Sequence, residues 1–253
     1  MSAGDSSKPG GGAPMETTAP IQHTGTSRSI ARMAEPNALT TRQLEERRLI
    51  HRDESVRTHA DAFREIRTRL LALGGEQNFV TLVASVSPGS GGSFVARNLA
   101  AAFAFDEAKT ALLIDCNPRH AAQYRALGTE AGPGLIDYLD HPAMGMEPII
   151  HRTGIPRLRL VPSGTARESS AEYFSSFRMR AALDSLRCRY PDRYLFLDGP
   201  AVKGSPDARI LSDLADFVVL VAGYGRDTPT AIAQAAATFD PHRFAGVVFD
   251  ELS

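Results

Sequence analysis

Residues 78–105 carry a strand, a glycine-rich turn and a helix run directly together. The first part, Asn78-Phe-Val-Thr-Leu-Val-Ala84, is β-branched and apolar, as a strand covered on both faces of a parallel sheet must be. Ser85-Val-Ser-Pro-Gly-Ser-Gly-Gly-Ser93 follows, with Pro88, Gly89, Ser90, Gly91, Gly92 and Ser93 making the turn, and Phe94–Ala104 has helical composition. Such a unit points a row of backbone N–H groups and a helix N-terminus at an anion. In a working phosphate-binding loop of this type the residue between the last glycine and the serine is a lysine that reaches the β- and γ-phosphates. Here that residue is Gly92, while Ser93, whose hydroxyl would sit on magnesium, is retained.

The alternation begun there continues along the chain. Strands are predicted at 78–85, 109–115, 157–162, 193–198, 216–222 and 245–250, and helices at 92–105, 168–189, 206–214 and 229–239. Thr228 and Pro229 suit the cap and first turn of the last helix. Two helices precede the first strand. One is short and charged, at 41–50; the other runs from about 55 to 73, with Val56, Phe63, Ile66, Leu70 and Leu73 at helical spacing. This alternation implies a mostly parallel sheet covered on both faces. The expected fold is α/β, a three-layer αβα P-loop domain with N-terminal helices over 39–253. Residues 1–38, rich in Gly, Ser, Thr, Pro and Ala without periodicity, are expected to be disordered.

A net charge of −1 over 253 residues argues against a nucleic-acid partner. No apolar run approaches the roughly 20 residues of a membrane helix, and the N-terminus lacks the layout of a signal peptide. A cytoplasmic protein is expected, peripheral to the inner membrane only through a partner. Cys116 and Cys188 lack metal-type spacing and are read as buried, reduced thiols.

Four segments fall at the carboxyl ends of predicted strands, where α/β folds hold their ligands. They are the loop 85–93, Ala111-Leu-Leu-Ile-Asp115-Cys-Asn117-Pro-Arg119, Tyr194-Leu-Phe-Leu-Asp198, and Phe217–Ala222 running into 223–228. Magnesium beside a nucleotide takes a loop hydroxyl and one or two carboxylates. Ser93, Asp115 and Asp198 supply those groups, and the two aspartates are also the candidate catalytic residues. A lone strand-end aspartate is as often a helix cap; the conjunction of all four segments is what points to a P-loop ancestry.

Together the segments resemble the bacterial protein-tyrosine kinases of capsule and exopolysaccharide synthesis, within the partition-type P-loop ATPases. The resemblance covers about residues 55–250. It is carried by Asp61-Ala-Phe-Arg64-Glu-Ile-Arg67, Ser87–Ser93 with Asn98-Leu-Ala100, and Leu113–Arg119, then by Gly134–Leu139, Val161–Gly164, Leu197–Pro200 and Pro206–Ala208. It implies that Pro88–Ser93 bind ATP phosphates and that Ser93, Asp115 and Asp198 bind Mg2+. Asp115, Asn117 and Arg119 match an Asp-x-Asp-x-Arg motif. Asp61, Arg64 and Arg67 match a Glu-x-x-Arg-x-x-Arg helix motif of ring assembly, an interface for a homo-oligomer. The resemblance also implies a membrane polysaccharide co-polymerase as partner.

The departures matter equally. Gly92 replaces lysine, Asn117 the second aspartate and Asp61 the glutamate, and Asp250 stands where relatives carry an adenine-contacting asparagine. With Ser253 last and the six tyrosines scattered, no acceptor cluster is expected. The expectation is a degenerate member, a pseudokinase acting as cytosolic partner or regulator in polysaccharide synthesis or export, binding ATP and Mg2+ weakly at best. The alternative is an active ATP-dependent tyrosine kinase or ATPase using a non-standard cation. Arg97, one turn into the helix, is read as too far back to reach phosphates. Lys203, past Asp198, is the candidate substitute, set against its plainer reading as a solvated loop lysine.

Overall fold

The apolar runs become strands β1 (Val80–Ser85), β2 (Thr110–Asp115), β4 (Leu158–Val161), β5 (Arg193–Asp198), β6 (Phe217–Gly223) and β7 (Phe244–Asp250), joined by a two-residue β3 (His151–Arg152). In this computed structural model, which describes residues 1, 38–51, 57–75, 77–129, 132–165 and 171–251, they form one sheet in the order β3-β4-β2-β5-β1-β6-β7. Every pair is parallel except β3 with β4. The expected N-terminal disordered segment, apart from Met1 and Ala38, lies outside the described residues, as does Val56. Every residue of β1, β2 and β5 is buried, which is why these strands read as continuous apolar runs. The register sets Asp115 directly opposite Asp198, so the two strand-end carboxylates emerge side by side.

The helices are α1 (Thr41–Glu46), α2 (Arg57–Gly74), α3 (Gly92–Ala104), α4 (Gln123–Ala126), α5 (Leu135–Asp140), α6 (Ala171–Phe174), α7 (Phe177–Arg189), α8 (Asp207–Ser212) and α9 (Pro229–Ala236). On one face of the sheet α3 lies between the strands and α2. Its Ala100, Ala101, Ala102 and Ala104 are fully buried, and such small side chains let helix and sheet approach closely. Ala60, Phe63 and Leu70 of α2 close that core, with Phe63 meeting Phe94 edge-on at 6.1 Å. The second core, on the opposite face, gathers Leu135, Phe174, Met179, Leu183 and Leu211.

Three expectations need correcting. The helix expected over 168–189 is interrupted, because Ser176 takes an extended conformation and its hydroxyl caps α7 by accepting from the Met179 N–H at 3.1 Å. The helix expected over 41–50 stops at Glu46. Arg48 is left-handed (φ +54°), and Leu49, Ile50 and His51 turn into the core. Cys116 is buried as expected, but Cys188 is exposed, on the solvent side of the last turn of α7. The cap at Thr228 forms as expected, accepting from the Ala231 N–H at 3.2 Å.

Candidate functional site

The loop leaves β1 at Ser85 and reaches α3 through two left-handed glycines, Gly89 (φ +82°) and Gly91 (φ +87°). At Gly91 the constraint is double, since a Cβ there would fall on the Asp250 carboxylate. The loop is braced from outside: the Arg226 guanidinium donates to the Pro88 carbonyl at 3.3 Å. Helix geometry leaves the N–H groups of the first turn of α3 without intrahelical acceptors, and this turn borders a cavity of about 440 Å³. Gly92 is the first residue of α3 and, unlike Gly89 and Gly91, is not left-handed. A Cβ on it would lie 3.2–3.3 Å from Ser85 atoms, close but within reach of a small adjustment. The cradle lacks the lysine without having lost the place for it.

Ser93 and Asp198 meet as the sequence proposes: the Ser93 hydroxyl donates to Asp198 Oδ1 at 3.0 Å. Gln123, which sequence reasoning missed, ties the two together. Its Nε2 donates to Asp198 Oδ2 at 2.6 Å and to the Ser93 carbonyl at 2.9 Å. Asp115 accepts from the backbone N–H of Asn117 at 3.0 Å and of Gln123 at 3.4 Å. Both aspartates are fully buried. Burial, and secondarily the charge of Asp198, push Asp115 up to about 8. Burial pushes Asp198 up to about 6, held back by the Gln123 and Ser93 hydrogen bonds and the charge of Arg97. Three clustered oxygen donors suit magnesium, which keeps waters and borrows ligands from phosphates rather than filling an all-protein cage. Ser93, Asp115 and Asp198 would hold it. Consistent with that incomplete donor set, the described residues contain no group of three or more His, Cys, Asp or Glu able to hold a metal unaided.

Four cationic residues line the cavity: Arg48, Arg97, Arg119 and Lys203. Arg97, expected to point too far back, is a lining residue whose Nη1 donates to the Ser93 carbonyl at 3.1 Å. Lys203 lines the cavity and is exposed. Arg48 was not foreseen at all, because its neighbourhood reads as uninterrupted helix. Asp250, at the end of β7, is buried against Gly91 and completes the wall. The α2 motif separates into two parts. Arg64 Nη1 pairs with Asp61 Oδ1 at 2.5 Å on the exposed face, whereas Arg67 turns inward and donates to the Ala102 carbonyl at 2.9 Å.

No protein-family model matches the chain. It is 32% identical over 169 residues to the putative tyrosine-protein kinase EpsB of Ralstonia solanacearum, covering 66% of this chain and 22% of that protein. The relatives the chain matches are bacterial tyrosine-protein kinases, and it is similar to them over two thirds to three quarters of its length. The tyrosine-protein kinase CpsD of Streptococcus agalactiae is 28% identical over 196 residues, 76% of this chain and 82% of that one. The kinase domain of Escherichia coli tyrosine kinase ETK shares the fold, with a TM-score of 0.71 at 21% identity, covering 85% of this chain and 88% of that domain. The chain therefore spans about a fifth of EpsB and most of CpsD.

Proposed function

We propose that this member of the tyrosine-kinase family has lost efficient phosphoryl transfer and serves as a regulatory partner in extracellular polysaccharide synthesis or export. The observation that carries the reading is Gly92, a residue without side chain at the cavity position where the transferred phosphoryl group needs a cation. Charge builds on that group in the transition state, and removing one preorganised donor there costs about a hundredfold or more in rate. The rest of the site supports weak binding of ATP with Mg2+: the cradle is formed, and Ser93, Asp115 and Asp198 converge.

In this reading the chain works at the cytoplasmic side of the inner membrane, docked on a membrane polysaccharide co-polymerase. No described helix is long and apolar enough to cross a membrane. The exposed Asp61–Arg64 pair on α2 is the proposed contact for that partner or for further copies of the chain. A second reading, an active kinase with a displaced cation, is favoured by the cationic residues that line the cavity.

Incubation of purified protein with ATP and Mg2+, followed by phosphotyrosine detection and phosphate release, separates the two. The proposal expects neither signal above background. Phosphotyrosine abolished by Asp115→Asn would defeat it and establish the active-kinase reading.

A further inference from the structure

The strap Arg47–His51 that follows α1 brings Arg48 to the cavity wall, and the bonds that place it there are unusual. Thr40 and Gln43 cap α1 reciprocally, and Arg47 after it donates to the Leu127 carbonyl at 3.1 Å. Arg48 then takes a φ of +54°, a conformation a residue with a Cβ keeps only where its surroundings hold it. The holding group is Asn98, wholly buried in α3. Its Oδ1 accepts from the Ile50 N–H at 2.8 Å, and its Nδ2 donates to the Arg48 carbonyl at 3.1 Å. Leu49, Ile50 and His51 are buried on either side of these bonds. One helix thus supplies both the N-terminus of the phosphate cradle and, from Asn98, the anchor of the strap.

The consequence is where Arg48 ends up. Its backbone is pinned while its side chain stays exposed, and that side chain lines the cavity together with Gly92, Ser93 and Arg97. Burial lowers the Arg97 guanidinium from its ordinary value; the charge of Asp198 opposes this, the charge of Arg48 adds to it, and Asp250 opposes it further. Two guanidinium groups on one cavity wall, beside a helix N-terminus and a pair of magnesium-type carboxylates, match a polyphosphate with its metal.

We propose that Arg48, delivered by this strap and anchored through Asn98, is the phosphate-binding cation of the cavity, taking the part of the side chain that Gly92 lacks. The ligand class is the polyphosphate of a nucleoside di- or triphosphate bound with Mg2+. This rests on reading the cavity as a nucleotide site, but not on whether transfer occurs.

The test is calorimetric titration of the full chain with ADP and Mg2+, in wild type, Arg48→Ala and Arg48→Lys, each checked by thermal melting. Saturable wild-type binding is expected, weakened about tenfold to a hundredfold by Arg48→Ala, the effect of one charge-assisted contact. Arg48→Lys should recover most of the loss, and the melting curves should superimpose because the side chain is exposed. No saturable binding to wild type, or equal binding by wild type and Arg48→Ala, overturns the proposal. Phosphate release on the same preparations keeps the two readings apart. Turnover by wild type defeats the silent-kinase reading while the ADP titration still decides Arg48, and absent binding defeats Arg48 while leaving the silent-kinase reading intact.

Discussion

Restoring a lysine at Gly92 asks whether the cradle is short of one charge or of more. The substitution starts from a helical glycine, so no left-handed backbone resists it. Replacing glycine in a helix recovers about 0.5–1 kcal/mol of ordering entropy. Against this, the new Cβ lies 3.2 Å from Ser85 Cβ and 3.3 Å from Ser85 N and Oγ, so the strand end must yield slightly. Overpacking of this kind costs about 1 kcal/mol at its mild end, and the folded protein should stay within about 1 kcal/mol of wild-type stability. Binding gains separately. A charge-assisted hydrogen bond to phosphate is worth about 1.5–3 kcal/mol, or tenfold to a hundredfold in affinity. Because Arg97 and Arg48 already line the cavity, the gain is expected near the lower end, about tenfold. Calorimetry with ATP and Mg2+ on wild type and Gly92→Lys gives the comparison. Tight wild-type binding that Gly92→Lys leaves unchanged would refute the view that the missing lysine limits this site.

The buried carboxylates predict a pH dependence. Asp115 (about 8) and Asp198 (about 6) lie above their unfolded value of 3.8, so the folded state binds more protons than the unfolded one across roughly pH 4 to 8. Their contribution to stability is then fully present below pH 4 and lost as pH rises through 6 and 8. In metal-free buffer the melting temperature should fall from pH 5.5 to 8.5, and Asp115→Asn should flatten that slope. Equal slopes in the two proteins would contradict the assignment. On α2, Arg64→Ala removes only an exposed pair and should reduce assembly mass or partner capture at unchanged melting temperature. Arg67→Ala frees the Ala102 carbonyl and should cost about 1–2 kcal/mol of stability by itself. Light scattering, a pull-down with the cytosolic segments of the co-polymerase and melting curves read all three quantities. Unchanged mass and capture in Arg64→Ala would remove α2 as an interface.

What could be read in advance follows from where each constraint originates. The strands flanking the site were legible because every residue of β1, β2 and β5 is buried, which leaves an apolar run with no alternation to confuse. The short antiparallel β3, with two residues, leaves no period to detect. Asp115 and Asp198 could be paired from their strand-end positions alone, since parallel neighbours deliver their ends together. Gln123 could not, because a glutamine has meaning there only once α4 folds back over Ser93. Arg48 was hidden more deeply. Leu44-Glu-Glu-Arg-Arg-Leu-Ile50 reads as helix to its end, and the residue that breaks it, Asn98, comes 50 positions later. Cys188 shows the same limit, because helical register rather than composition decides which face meets solvent.

The bonds that shape the loop bear on what Gly92 changes. Val86 N–H donates to the Val221 carbonyl at 2.8 Å, Ser90 N–H to the Ser87 carbonyl at 3.2 Å, and Lys203 N–H to the Val86 carbonyl at 3.1 Å. Ser93, Gln123 and Asp198 lock the first turn of α3. None of these bonds involves the side chain at position 92, so exchanging lysine for glycine alters charge and leaves the architecture standing. Nor does the backbone demand glycine at 92, as it does at 89 and 91. Position 92 does not need glycine for its conformation, and a Cβ there asks only a small shift of Ser85, so the difference from the kinase pattern is mainly one of chemistry. On the proposed reading the chemistry removed is the one that serves transfer most, while the helix N-terminus, the Ser93 hydroxyl and the paired carboxylates stay together at the cavity.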